Sequence, residues 1–250
     1  MLKFGKGNAK LDKQVATFSL PAGKTCPGAA DCKSMAIQGA DGSRRIVDGP
    51  ATKFRCFAAS QEVLYRNTFN ARAHNLAVVK QHVDNVETLA ETIVDSLPKK
   101  AKYVRVHVSG DFFKQTYFDA WIEAARQRPD VLFYAYTKSL DFWVARQGTI
   151  PANFVLTASL GGKHDNLVAK HNLRYAKVVY SEAEAESLGL EIDHDDSHAM
   201  AAGASFALLL HGSQPKGSEA GKALSALKKA GKGGYNAKRK VKAKLPVLAS

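Results

Sequence analysis

Between residues 100 and 212, runs rich in β-branched and aromatic residues alternate with stretches of helical periodicity. The runs are 103–109 (YVRVHVS), 131–137 (VLFYAYT), 154–159 (FVLTAS), 176–181 (AKVVYS) and 205–211 (SFALLLH), and their starts lie 28, 23, 22 and 29 residues apart. That spacing is the length of a βα unit, so the pattern predicts parallel strands joined by helices. A sixth strand is predicted at 15–20 (VATFSL). Phe118, Trp121, Ile122 and Ala125 follow i, i+3, i+4, i+7 spacing and predict an amphipathic helix that ends at Pro129. Val79, Val83, Val86, Ala90, Ile93 and Leu97 trace one face of a further helix closed by Pro98, and Ser181 with Glu184 forms a capping box. The expected fold is α/β: a partial (β/α) barrel or open sheet of about six mainly parallel strands.

The first full strand adds a functional hint. Strict alternation puts Val104, Val106 and Val108 on one face of YVRVHVS and Arg105, His107 and Ser109 on the other. A parallel strand buried on both faces is ordinarily apolar throughout, so the polar face predicts a lined pocket. The runs end in Ser109-Gly110-Asp111, Thr137-Lys138-Ser139, Ser159-Leu160-Gly161-Gly162, Ser181 and His211-Gly212. Small and polar residues thus gather at the carboxyl ends, where α/β sheets carry their sites.

Composition narrows the class. With 250 residues, 45% hydrophobic and 24% charged, the chain can bury a full core, which excludes a wholly disordered or fibrous protein. No apolar run is long enough to span a bilayer and the start, MLKFGKGNAK, lacks the apolar core of a secretion signal, so a soluble cytosolic protein without membrane partners is expected. The net charge of +13 is uneven: +6 over residues 1–60, −2 over 61–215 and +9 over 216–250. Residues 1–215 read as one α/β domain with its cysteines between 20 and 60. From 216 onward a short helix (GSEAGKALSALKK) leads into a basic, mobile tail. Lys228, Lys229, Lys232, Lys238, Arg239, Lys240, Lys242 and Lys244 make that tail a candidate contact for nucleic-acid phosphates; a merely solubilising tail is the alternative.

Three cysteines, Cys26, Cys32 and Cys56, are an odd number for a disulfide framework, and in a reducing compartment they turn attention to metal or cluster ligation. Thiolates suit iron and zinc, and a loop containing Gly23, Pro27 and Gly28 can wrap a compact centre; three lone buried thiols are the plain alternative. His107, Ser109 and Asp111, in HVSGDFF, are candidate catalytic residues at a strand end, where a histidine hydrogen-bonded within the core is the competing reading. Asp193, His194, Asp195, Asp196 and His198, with His211, could hold a divalent cation for hydrolysis, although acidic loops are more often solvated or capping. Gly212, Ser213, Lys216, Gly217 and Ser218 precede a helix start and give a weak phosphate-binding signal.

The segments NAKL (8–11), TFSLPAGKTCPGAADC (17–32), FRCFAAS (54–60), HVSGDFF (107–113) and FYAYTKS (133–139) resemble the phage gene product 88-like family over most of residues 8–215. More loosely, the cysteines after the first strand, the polar glycine-containing motif after the next and the partial barrel are similar to radical S-adenosylmethionine enzymes. Those enzymes usually carry C-x3-C-x2-C, whereas the third cysteine here stands 24 positions beyond the second. The resemblance implies a bacteriophage protein with a 4Fe-4S cluster on Cys26, Cys32 and Cys56 and with S-adenosylmethionine as a further candidate cofactor. It also implies action in the host cytoplasm, where the basic ends would bring the protein to nucleic acid or to a nucleic-acid-bound phage or host protein. A divergent radical S-adenosylmethionine enzyme and a metal-dependent hydrolase or nuclease are the alternatives.

Overall fold

Every run read as a strand is one in the computed structural model, which describes residues 1–7 and 11–232. The strands are β1 (Gly5–Lys6), β2 (Val15–Ser19), β3 (Ser34–Gln38), β4 (Arg44–Asp48), β5 (Tyr103–Ser109), β6 (Leu132–Thr137), β7 (Phe154–Ser159), β8 (Tyr175–Val179) and β9 (Phe206–Leu209). The longer helices are α1 (Phe57–Leu64), α2 (Arg66–His82), α3 (Val86–Ser96), α4 (Gln115–Gln127) and, later in the chain, α9 (Glu219–Lys229). Between them lie the short α5 (Leu140–Val144), α6 (Asn166–Lys170), α7 (Glu182–Ser187) and α8 (Ser197–Met200). Seven strands form one sheet in the order β1-β2-β5-β6-β7-β8-β9, parallel throughout except for the antiparallel edge strand β1. The strand order follows the chain order, as in a β/α barrel, but among the described residues the sheet is open: β1 and β9 are its two edges and no pairing between them closes it.

Two features escape the periodicity. The connection from β2 to β5 contains an antiparallel hairpin, β3 with β4, whose sequences SMAIQ and RRIVD are only five residues each, too short for their pattern to stand out. The single helix expected over 79–97 is two helices, because the Asn85 side chain accepts the Thr88 N–H at 2.8 Å and starts α3 afresh. Their apolar faces still align and join one core: Val79, Leu89, Ala90 and Ile93 pack with Trp121, Phe118 and Ile122 of α4 against Phe18, Val104, Val106 and Phe133 of the sheet. The other sheet face, carrying Val15, Tyr103, Tyr134 and Val155, is covered by Ala199 and Met200 of α8. Helix α9 packs through Ala220, Leu224 and Leu227 on Leu210 and Val178, so this part of the C-terminal segment is docked on the sheet.

The strict alternation assigned to β5 holds only to Val106. Thr17 pairs with Arg105 and Ser19 with Ser109, so one residue of β2 faces three of β5. Inside that bulge His107 has φ of 64°, a left-handed conformation rare outside glycine, which reverses the remaining side chains. His107 therefore leaves the face of Arg105 and enters the helix-side core among Phe18, Phe112, Tyr117 and Trp121. Val108 crosses to the opposite cluster beside Tyr136. The expected pocket wall of Arg105, His107 and Ser109 does not form.

His107 is buried, and its Nε2 shares a 2.7 Å hydrogen bond with the Tyr117 hydroxyl. Burial pushes its pKa from 6.5 down to about 3, so the folded protein keeps it neutral. As pH falls from 6.5 toward about 3, the unfolded chain takes up a proton that the folded chain refuses, and stability is lost across that window. His107→Leu should destabilise the protein at neutral pH by about 1 to 3 kcal/mol, since it orphans the Tyr117 hydroxyl. The gap between variant and wild type should narrow on acidification. Urea unfolding at neutral pH and at about pH 5 measures both; a gap that stays constant would show that His107 takes its proton in the fold.

Candidate functional site

The segment after β2 is strapped across the carboxyl ends of β5, β6 and β7. The Leu20 N–H donates to Ser109 O at 2.8 Å, and the Ala22 N–H donates to the buried Glu62 carboxylate at 2.8 Å. Gly28 passes so close to β6 that a Cβ there would stand 2.2 Å from Lys138 O, so no other residue fits. Ala29 forms a bridge with Gly162, the Asp31 N–H donates to Gly161 O at 2.9 Å, and the Lys163 N–H donates to Gly28 O at 2.8 Å. Cys26 and Cys32 sit on this strap.

Cys56 returns to the same place through the β3–β4 hairpin. The carbonyl of Asp31, next to Cys32, accepts the N–H groups of Lys53 (2.8 Å) and Phe54 (3.1 Å). Residues 24 positions apart are thereby brought side by side. Arg55 exchanges hydrogen bonds with Gln214, its N–H donating to Oε1 at 2.8 Å and its carbonyl accepting from Nε2 at 3.1 Å. Cys56 then occupies the N-cap of α1, where the Ala59 N–H donates to its carbonyl at 3.1 Å.

The three half-buried thiols share one electrostatic environment. Burial raises the pKa of Cys26 most, and the charges of Asp111, Cys56 and Cys32 add to it. Cys32 is raised by burial while the Lys138 ammonium pulls it down, and Cys56 is pushed up to about 11 by burial and by Cys32. Free of a cation, all three stay protonated thiols at neutral pH. Asp111 braces the floor: its carboxylate accepts the Thr137 hydroxyl (2.7 Å) and the N–H groups of Lys138 and Phe112 (2.8 Å each). Burial raises its pKa to about 6 against these three bonds. Lys138, itself buried, spends its ammonium on Ser159 O (2.7 Å), Ser159 Oγ (3.0 Å) and Leu160 O.

Of the residues proposed for the pocket, Asp111 alone adjoins the thiols. Ser109 points to Glu62 at 3.4 Å, and His107 lies in the core. Glu62 is held by Arg72 at 2.9 Å beneath the strap, a buried ion pair that no sequence spacing announces. Lys138 carried a signal, a cation inside an otherwise β-rich stretch, FYAYTKS.

The acidic segment 193–198 is elsewhere and does different work. Asp193 Oδ1 caps the turn by accepting the N–H groups of Asp195 (3.0 Å) and Asp196 (2.8 Å). Asp196 pairs with Arg105 and accepts hydrogen bonds from Tyr134 (3.3 Å) and Tyr136 (3.2 Å) on the sheet face opposite the helices. His198 contacts the exposed Glu191 at 2.9 Å, and the His211 ring lies against Phe57. Among the described residues no group of three or more His, Cys, Asp or Glu side chains stands close enough to hold a single metal ion, so the divalent-cation site expected at 193–198 is not formed. Lys228 and Lys229 are exposed at the end of α9, Lys232 pairs with Glu182, and Lys238, Arg239, Lys240, Lys242 and Lys244 lie outside the described residues.

Among the described residues no helix is long and apolar enough to cross a membrane. No solved structure matches the chain. It is 32% identical over 90 residues to the Gene 88 protein of Mycobacterium phage L5 and 34% identical over 90 residues to the Gene 88 protein of Mycobacterium phage D29. Each match covers 33% of this chain and 38% of the relative, so the alignment spans well under half of those proteins. The model of the Gene product 88 family matches residues 2–232, nearly all of the described chain, including all three cysteines and the strap that carries them. The chain belongs to the Gene product 88 family.

Proposed function

We propose that this is a phage iron–sulfur protein whose three thiols hold a 4Fe-4S cluster at the carboxyl ends of a sheet wound like part of a β/α barrel. The observation that carries the reading is the convergence of Cys26, Cys32 and Cys56 from two separate segments: the Asp31 carbonyl ties the stretch before Cys56 to the strap, Cys32 raises the pKa of both other thiols, and Cys56 raises that of Cys26. The donor set fits the group. Three soft thiolates suit iron, and the backbone of Ala58 and Ala59 at the start of α1 favours the ionised form of Cys56 that a cluster needs. When bound, a cluster on three protein thiolates supplies electron transfer and one iron open to an outside ligand.

The chain's own residues would then form the cradle. Asp111 and Lys138 hold the floor, the Gly28 strap closes one side, and Cys56 caps α1 on the other. The divergent radical S-adenosylmethionine enzyme is the second reading, favoured by the same three-thiol set. Action on or near nucleic acid in the host cytoplasm completes the proposal, motivated by the +6 and +9 charges of residues 1–60 and 216–250.

Anaerobically isolated protein should contain iron with acid-labile sulfide, and serine at position 26, 32 or 56 should remove most of both. Full iron content in Cys56→Ser, or one zinc without sulfide, would overturn the ligand set. Because the free thiols are protonated, metal-free protein should react with iodoacetamide more slowly at mildly alkaline pH than a small free thiol does, and cluster assembly should release protons. Alkylation as fast as that of the free thiol would contradict the burial described above. Reduced protein should cleave S-adenosylmethionine only if the second reading holds; an intact cluster with no cleavage would remove it.

A further inference from the structure

Helix α9 turns Ala220, Leu224 and Leu227 inward, which leaves Lys222, Ser225 and Lys229 along its outer side with Lys228 beside them. Residues 213–217 form a wall facing that side. The Pro215 carbonyl accepts the Ser218 hydroxyl at 2.7 Å and lies so close to the helix that a Cβ on Gly221 would stand 2.3 Å from it. The missing side chain at Gly221 is what lets wall and helix meet. Between them runs an open groove of about 590 Å³ whose lining includes Lys216, Lys222, Lys228 and Lys229 and no carboxylate.

A volume of about 590 Å³ would suit a small molecule, but such sites are lined mostly by apolar groups, and here Leu224 and Ala226 are outnumbered by four lysines, two serines and Gln214. Lys222 and Lys229 are seven residues apart on the helix, about 10 Å along its axis at roughly 1.5 Å per residue. That is about three times the roughly 3.4 Å axial spacing of phosphates on one strand of a duplex, so the lysines match a row of phosphates better than a single one. The groove also leads somewhere. Its wall is tied through Gln214 to Arg55, and Gly212 abuts Phe57, so the wall is anchored on both residues that flank Cys56. In sequence, the helix is followed by Lys238, Arg239, Lys240, Lys242 and Lys244.

We propose that this groove seats a nucleic-acid phosphate backbone on Lys216, Lys222, Lys228 and Lys229 and leads it past the thiol centre; the proposal rests on the nucleic-acid part of the function proposed above. Base readout is minor, since the groove lining holds no aromatic side chain on which a base could stack. The test is fluorescence anisotropy of the full chain with a labelled mixed-sequence DNA single strand over a salt series. The Lys222→Gln/Lys229→Gln variant should bind more weakly, and its log–log salt slope should be shallower by about 0.7 for each lysine removed, with iron content unchanged. Lys99→Gln/Lys100→Gln, an exposed pair before β5, should leave the slope as it was. Equal loss in both variants would reduce the effect to net charge and overturn the groove. Binding that survives the groove variant but vanishes when residues 233–250 are removed would overturn the groove while sparing the nucleic-acid reading. If the full chain ignores DNA, both fall, and lysine-dependent binding to phosphatidylserine vesicles in its place would assign the groove to a membrane surface.

Discussion

The close contact between the cysteine strap and the end of β6 sets the geometry of everything around it. Gly28 lies against the Lys138 backbone with no room for a methyl group, and the same Lys138 N–H is held from below by Asp111. One residue at a strand end thus fixes the loop above it and the carboxylate beneath it. Because Asp111 also takes the Thr137 hydroxyl, β5 and β6 are locked together where parallel sheets usually splay into loops. An anionic carboxylate beside Cys26 and Cys32 disfavours their ionisation, which makes these thiols poor nucleophiles in the absence of a cation that compensates the charge.

The two faces of the sheet are closed by different means. Helices α2, α3 and α4 cover one with an aromatic and aliphatic core. The other is covered by α8 and by the Arg105–Asp196 pair with its two tyrosines. Removing one partner of such a buried pair would leave an uncompensated charge and cost about 3 to 5 kcal/mol, so the acidic segment that resembles a cation site is better understood as a fastener. With both faces occupied, the carboxyl ends of the strands are the place left for chemistry, and the thiols are there.

Much of this was legible in the sequence and some was not, for definite reasons. The parallel strands were readable because each run is rich in β-branched and aromatic residues and the runs are separated by a βα length. Residue type alone singled out Asp111 and the cysteines as candidates, and the structure places Asp111 beside Cys26 and Cys32. His107 was misplaced because periodicity assumes a regular strand, and a single left-handed residue in a two-residue bulge reverses the faces beyond it. The link between Cys32 and Cys56 was hidden because it is made by one carbonyl, that of Asp31, accepting two backbone N–H groups across a hairpin, and backbone contacts leave no mark on residue type. The Glu62–Arg72 pair was hidden for the related reason that helix packing, not spacing, brings α1 and α2 together.

The central proposal is that three thiols delivered by two separate segments hold one iron–sulfur cluster. X-ray absorption at the iron edge of anaerobically purified protein tests it most directly. The account predicts iron surrounded chiefly by sulfur, with a second shell of iron scatterers that signals a cluster. Iron bound only to nitrogen and oxygen, or absorption from zinc alone with no metal neighbour, would contradict it.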